Sequence, residues 1–342
     1  MLDQATIVSA ETLCGRTCPE GRVGPQICYH GTQLRGKALH NRIELIMSGV
    51  EKQNTRGIEI GPSMNPLAPK REGWNTIIVD FADTETLRSI ARERTYPNNP
   101  QLADAIEEVD LVWQGGSLKS ALEAHNLSQL DFFVSSHNIE HSVDIIDHLQ
   151  AAENVIHADG VIAMAIPDMR YTFDFFRNPI TVAEALRVHR LKPKYHESEY
   201  LLDQQINALL NNSQGCWTTH TALQDLSLGS DPMAAWNQYV QPPTPASYND
   251  CHRWCFVPAS FELLIFDLNW MGLLNLCISR LSTAESGVLG SEFIVQLKKT
   301  NNDASASGRT WQEINKKRLG LQLKVLQQLS ERLRIPYLHY MQ

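Results

Sequence analysis

Positive charge, long apolar runs and paired cysteines are all scarce in this sequence, and each scarcity removes a class of function. Lys and Arg number 30 against 38 Asp and Glu, a formal net charge of −8. A general nucleic-acid binder needs a basic face to neutralise phosphates, so no nucleic-acid partner is expected. Although 43% of the residues are apolar, nowhere do about 18 of them run together as a spanning helix requires, and no membrane span is expected. The opening stretch "MLDQATIVSAETLCG" lacks the basic segment leading into an apolar one that marks a secretory leader. The cysteines, Cys14, Cys18, Cys28, Cys216, Cys251, Cys255 and Cys277, are odd in number and thinly spread. They form no evident disulfide framework, and a reducing, cytoplasmic setting is the expectation.

What the chain does have is alternation. Residues 1–36 show no period and read as an irregular arm rich in Gly, Cys and Arg. Leu39, Ile43, Ile46 and Met47 then recur at helical spacing, which predicts a helix in front of the first strand. Strand-like runs follow at "RGIEIG", "NTIIVDF", "VDLVWQ", "DFFVSS" and "GVIAMAIP", separated by helical stretches such as "DTETLRSIARER", "SLKSALEAHN" and "VDIIDHLQAAENVIHAD". Ile/Val-rich strands with helices between them imply right-handed crossovers and a parallel sheet covered on both faces, an α/β doubly wound core. The alternation stops between Asp168 and Asp250, a span too long for a plain connection, which reads as a mainly helical cap over a ligand crevice. It resumes with the helix "VPASFELLIFDLNWMG" and the strands "LLNLCISRLS" and "SEFIVQLKKT", joined by a link short enough for an antiparallel hairpin. The core thus spans 37–167 and 251–300. A closing amphipathic helix is expected within 309–335, with Leu319, Val325, Leu326, Leu329 and Leu333 on the face that packs either on the core or on a second subunit as a homo-oligomer contact.

Open parallel sheets bind ligands at the carboxyl ends of their strands, and the first strand-to-helix turn is the usual contact. "GIEIGPSMNP" occupies that place. Gly61 has no Cβ, so its backbone can lie against a neighbour, while Pro62 and Pro66 stiffen the turn. About twenty residues on, the second strand ends in Asp80, where a carboxylate can accept hydrogen bonds from both hydroxyls of a ribose. Neither G-x-G-x-x-G nor G-x-x-x-x-G-K-[ST] is present, which disfavours a nicotinamide dinucleotide and a nucleotide triphosphate. A nucleoside without a pyrophosphate fits better.

With those residues in place, the runs "GIEIGPSMNPLAPKREGWNTIIVDFADTETLR" and "DFFVSSHNIEHSVDIIDHLQAAENVIHADGVIAMAIPDMRYTFD" resemble the class I S-adenosylmethionine-dependent methyltransferases, in the type 11-like subgroup with a G-P-S-x-N-P turn. "DCHRWCFVPASFELLIFDL" and "GSEFIVQLKK" are similar to the closing helix and strands of that family. The resemblance implies a Rossmann-like seven-stranded sheet, five parallel strands plus a C-terminal antiparallel hairpin, with S-adenosylmethionine as cofactor. It also implies that Glu59, Gly61, Pro62 and Ser63 lie along the methionine part, Asp80 on the ribose, Gly116 and Ser117 near the adenine, and Ser135, Ser136 and His137 facing the sulfonium. Ser63 and Asn65 depart from the commoner E-x-G-x-G-x-G pattern.

Methyl transfer to a hydroxyl needs the acceptor aligned and its proton removed. "SSHNIEH" puts His137 and His141 at the mouth of the sheet, and His141 is the first choice for general base. The alternative is that Glu140 and His141 merely cap the following helix. His252 is the second choice, with Asp250 able to orient it. No spacing demands a metal at these histidines, and none is assigned. Cys14, Cys18, Cys28 and His30 lack the close C-x-x-C pairs of a zinc site and read as reduced thiols in a loop. Asp168, Arg170, Tyr171 and Asp250 are the expected contacts of a small-molecule or glycan acceptor; the same polar mixture would also fix a cap onto the sheet. The aromatics Trp217, Trp236 and Trp254 read as packing. N-methylation of an amine or peptide, and a methyltransferase-like scaffold without turnover, are the competing readings.

Overall fold

The computed structural model describes residues 37–95, 99–211, 215, 226–241, 249–283, 290–300 and 310–332. The arm with Cys14, Cys18, Cys28 and His30 lies outside them, as do Cys216, Trp217 and Leu333. Within the described residues the apolar runs form strands β1 (Gly57–Ile60), β2 (Thr76–Asp80), β3 (Leu111–Val112), β4 (Leu130–Ser136) and β5 (Ile156–Pro167), all parallel. A separate antiparallel ribbon, β6 (Leu209–Asn211) with β7 (Leu226–Leu228), precedes β8 (Leu276–Ser282) and β9 (Glu292–Lys299). The main sheet has the order β3-β2-β1-β4-β5-β9-β8, and β9 runs antiparallel to both of its neighbours. This is the doubly wound α/β sheet with a C-terminal antiparallel hairpin that the strand pattern implied. The order turns back between β1 and β4, so the crevice lies at their carboxyl ends.

Nine α-helices are described: α1 (Lys37–Ile46), α2 (Thr84–Ile90), α3 (Leu118–Ala124), α4 (Ile145–Val155), α5 (Val182–Leu191), α6 (Ser198–Asn207), α7 (Pro232–Val240), α8 (Pro258–Trp270) and α9 (Trp311–Glu331). Ile58, Ile60 and Phe133 face a cluster completed by α3, α4, α5 and α8. On the other face Phe132, Val134 and Ala163 meet Ile46 and Met47 with Leu67. Each such fully buried side chain is worth about 1.5–3 kcal/mol, so the two faces together hold the strand ends where they are.

Three elements differ from the sequence pattern. The helix expected to run through Asp159 stops at Val155, because Ile156 pairs with Leu130 and starts β5 ahead of a register shift. Between β5 and α8 the chain is not helices alone but includes the β6–β7 ribbon. In α9 the packing face is Ile314 and Leu321, buried, with Val325 and Leu329 against Met169, Cys255 and Val257, whereas Leu319 and Leu326 are 53% and 63% exposed. Positions 314, 321, 325 and 329 follow the helical repeat; 319 and 326 fall to one side of it. α9 packs on the core: Arg318 forks onto Asp267, and the Gln328 amide oxygen accepts from Ala259 N in α8. Among the described residues no helix is long and apolar enough to cross a membrane.

Gly57 shows how tightly β1 is set. A Cβ there would lie 2.2 Å from the ring of Phe132 on the neighbouring strand, and Phe132 is fully buried. Gly57→Ala is expected to lower the unfolding free energy by about 1–3 kcal/mol, the usual range for forced overpacking, as read from urea denaturation; an unchanged midpoint would mean the Phe132 ring is free to move.

Candidate functional site

The turn after β1 is held from two sides. Gly61 takes φ +62° and Ser63 φ +47°, left-handed conformations that suit glycine and strain serine. A Cβ on Gly61 would meet the side-chain amide of Asn138 at 2.5 Å. The neighbour that keeps this backbone bare is therefore Asn138, from the loop after β4. Glu59, one residue before the end of β1, is buried, and its carboxylate accepts from the amides of Leu67 and Ala68 at 2.7 and 3.0 Å. Its oxygens face the loop that leaves the turn. Burial lifts Glu59 from 4.5 to about 7, against the opposing pull of the Leu67 and Ala68 amides.

Asp80 ends β2 beside this turn. Its carboxylate accepts from Phe81 N at 2.8 Å and, more weakly, from Ser63 N at 3.4 Å, so the acid and the turn are in contact. Burial raises Asp80 from 3.8 to about 6 despite both amides. Next along the rim, Gly115 and Gly116 follow β3 with φ +99° and +78°, and Ser117 caps α3 while donating to Asp147. Left-handed residues thus follow β1, β3 and β4, all at one edge of the sheet. Strain concentrated this way is characteristic of ligand sites.

At the end of β4, Ser135 is buried and Ser136 accepts from Arg42 at 2.7 Å, and the next residue, His137, sits at φ +49°. His137 Nε2 bonds Glu292 at 2.8 Å, and Arg42 reaches the same carboxylate with two nitrogens. Burial would raise Glu292, but Arg42 and His137 outweigh it and hold the acid at about 2. Arg42 and Glu292 went unnoticed in the sequence, for they lie 250 residues apart.

The turn Ile139–His141 carries the densest polar cluster. Glu140 is fully buried, and no hydrogen bond reaches either carboxylate oxygen among the described residues. Around its Oε1 stand His141 Nε2 at 3.7 Å, His252 Nε2 at 3.9 Å and His137 Nδ1 at 3.8 Å. His141 Nδ1 is 2.9 Å from Asp250, and His252 Nδ1 is 2.5 Å from Asp174. The orienting partners differ from expectation: Asp250 serves His141, and Asp174 serves His252. The reason is topological. The segment 252–254 docks on Glu140, whose carbonyl accepts from Arg253 N and Trp254 N, and this turns His252 away from its sequence neighbour towards Asp174. Burial alone would lower His141, but Asp250 above all, then Glu140 and Asp174, outweigh it and lift the imidazole to about 9. Burial would raise Asp174, yet His252 and Arg177 hold it at about 2.

Not all expected acceptor residues reach this crevice. Asp168 and Arg170 are 0% and 1% exposed and form a forked ion pair with each other, which Arg170 extends to Glu331 of α9. Both are withdrawn from solvent and anchor the C-terminal helix. Tyr171 is half-buried, with the Arg170 guanidinium over its ring. Asp250 alone of the four belongs to the histidine cluster. Trp254 is buried and donates to Ser142 O, and Trp236 is 48% exposed. Asn138 and Glu140 are the site residues that sequence reasoning missed, whereas Asp174 lies in the stretch "PDMRYTFDFFR" that it placed on the acceptor side. Glu140 carried one signal, an acid flanked by histidines, and was read as a helix cap.

No family model matches this chain, and no curated protein does. Among solved structures it is similar to a protein assigned to the Zn-dependent alcohol dehydrogenases from Rhodobacter sphaeroides, with 11% identity over 76% of this chain and 90% of that one and a TM-score of 0.41. It is similar also to the CcbJ methyltransferase from Streptomyces caelestis, with 10% identity over 78% and 97% of the two chains and a TM-score of 0.38. A third is an S-adenosylmethionine-dependent methyltransferase from Mesorhizobium loti, with 10% identity over 77% and 99% and a TM-score of 0.37. At such scores these likenesses carry no argument about activity.

The raised Glu59 has a consequence for stability. Its native state keeps a proton from about pH 4.5 to about 7, where the unfolded chain has released it, so this group's contribution falls as pH climbs through that interval. Relative to Glu59→Gln, the wild-type chain is expected to lose unfolding free energy between pH 4.5 and 7 in urea titrations. A difference that is flat, or that grows with pH, contradicts the assignment.

Proposed function

We propose that the chain is an S-adenosylmethionine-dependent methyltransferase that acts on a hydroxyl of a small-molecule or glycan acceptor. One observation carries the reading. At the point where the strand order turns back, a left-handed glycine turn touches a buried strand-end carboxylate, through Ser63 N and Asp80. That pairing suits a nucleoside with no pyrophosphate to cradle, since the turn offers one glycine rather than three.

The residues fit such a cofactor. Gly61, Pro62 and Ser63 would lie along its methionine part, Asp80 would accept from its ribose hydroxyls, and Gly116 and Ser117 would flank its adenine. Ser135, Ser136 and His137 would border the reacting centre. Glu59 acts one step back, holding the loop at Leu67 and Ala68. When bound, the cofactor supplies a methyl group on a sulfonium, whose C–S bonding pair stays with sulfur as the new C–O bond forms. The chain's own task is to hold the acceptor hydroxyl in line and receive its proton. The cluster of Glu140, His141 and His252 is the proton-receiving side: each Nδ1 faces a carboxylate, which orients the ring and turns Nε2 inward, and His141, kept charged up to about 9 chiefly by Asp250, would take the acceptor's proton only after releasing its own. The insertion between β5 and α8, which supplies Asp174 and Asp250, would cover the acceptor.

Two outcomes test this. Calorimetry with S-adenosylhomocysteine is expected to show binding that Asp80→Ala weakens by about 1.5–3 kcal/mol, roughly 10- to 150-fold, the worth of hydrogen bonds to a charged group; no binding by the wild-type chain favours the scaffold reading. His141→Ala and His252→Ala are each expected to cut turnover by about 10²–10⁴ with that affinity kept, followed by mass spectrometry of methylated acceptors. Full activity in both variants would point to a neutral amine as the acceptor.

A further inference from the structure

The buried Glu140 presents a problem. Both of its oxygens are fully enclosed and accept no hydrogen bond among the described residues, a state that ordinarily costs several kcal/mol unless a cation is supplied. One donor atom each from Glu140, His141 and His252 lie within 4.8 Å of one another.

We propose that Glu140, His141 and His252 bind one divalent transition-metal ion through a carboxylate oxygen and the two Nε2 atoms. Three features of the geometry support it. The Glu140 Oε1 distances to His141 Nε2 and His252 Nε2, 3.7 and 3.9 Å, are only slightly wider than the roughly 3.4 Å separating two ligands that each sit about 2.1 Å from a tetrahedral ion. Each imidazole has its other nitrogen on a carboxylate, Asp250 for His141 and Asp174 for His252, the arrangement that fixes a ligating histidine's tautomer and orientation. The donor set of two imidazoles and one carboxylate suits Zn²⁺ or a neighbouring first-row ion and leaves a position open, whereas Mg²⁺ and Ca²⁺ prefer oxygen throughout. His137 stands at the edge of the site, its Nε2 held by Glu292.

Metal binding stands without the methyl-transfer reading. Only its use rests on that reading: an acceptor hydroxyl in the open position would have its pKa lowered by the ion and release its proton to water, with His141 and His252 as ligands rather than free bases.

The test uses the full chain, stripped with a chelator and titrated with Co²⁺ while visible absorption is followed, then with Zn²⁺ in competition. The expected result is one Co²⁺ per chain with d–d bands and no sulfur-to-cobalt charge transfer. Glu140→Gln is expected to lose the bound ion. Asp250→Asn, which leaves all three ligands in place, should bind about 10- to 100-fold more weakly. Circular dichroism reports whether each variant folds, and should Glu140→Gln not fold, Asp250→Asn decides. Absence of a stoichiometric ion overturns the proposal. So does a charge-transfer band from Cys14, Cys18 or Cys28 without d–d bands lost in the variants, or equal affinity in the wild-type chain and Asp250→Asn. S-adenosylhomocysteine calorimetry on the stripped and loaded chains reads the cofactor site separately: retained metal with no nucleoside binding defeats the methyl-transfer reading alone, and the converse defeats the metal site alone.

Discussion

The site depends on one short piece of backbone pairing. The carbonyl of Glu140 accepts from Arg253 N at 2.8 Å and from Trp254 N at 3.2 Å, and the Trp254 indole reaches Ser142 O across 112 residues of sequence. These bonds press the segment before α8 against the loop after β4. His252 is thereby carried beside His141, with ring centroids 4.6 Å apart in an edge-to-face contact. Without that docking, the carboxyl end of β4 would present His137 and His141 to solvent instead of a walled cluster.

Buried ion pairs fasten the segments that wall the crevice. Arg177 binds Asp174, Asp203 and the carbonyl of His252, and Arg170 joins Asp168 to Glu331 of α9. Such pairs add little net stability, since desolvation offsets attraction, but breaking one leaves a stranded charge at a cost of about 3–5 kcal/mol. Their effect is to make geometry all-or-none. The segment after β5 and the C-terminal helix are docked in the register that pairs Arg170 and Arg177 with their carboxylates, which gives the histidine cluster fixed walls.

How much could be read beforehand depended on how local the signal was. β1, β2, β4 and β5 are built around short Ile, Val, Phe and Ala runs that are buried on both faces, and such runs read as strands from the sequence. Gly61 and Asp80 were legible for the same reason: each lies at the end of its own strand, and parallel pairing of Ile60 with Val79 makes them neighbours. Asp168 and Arg170 were misread because polar residues after a strand look alike whether they meet a ligand or an arginine fork. The exchange of Asp250 for Asp174 at His252 could not be foreseen, since two residues of separation suggested a contact that the docked backbone forbids.

The sequence by itself determined the periodic part of this protein: a doubly wound sheet, its closing hairpin, and a side-chain-poor bend followed by an acid one strand over. Apolar periodicity specifies these because each strand must hide both faces, whichever other segments are present. The tertiary structure alone decided what surrounds Glu140. His141 is its neighbour in sequence, but His252, Asp174 and Asp250 arrive from segments beyond β5, and nothing in their local patterns encodes a meeting point. They converge because a buried carbonyl must find amide donors and buried arginines must find carboxylates, and the fold satisfies those demands in one place.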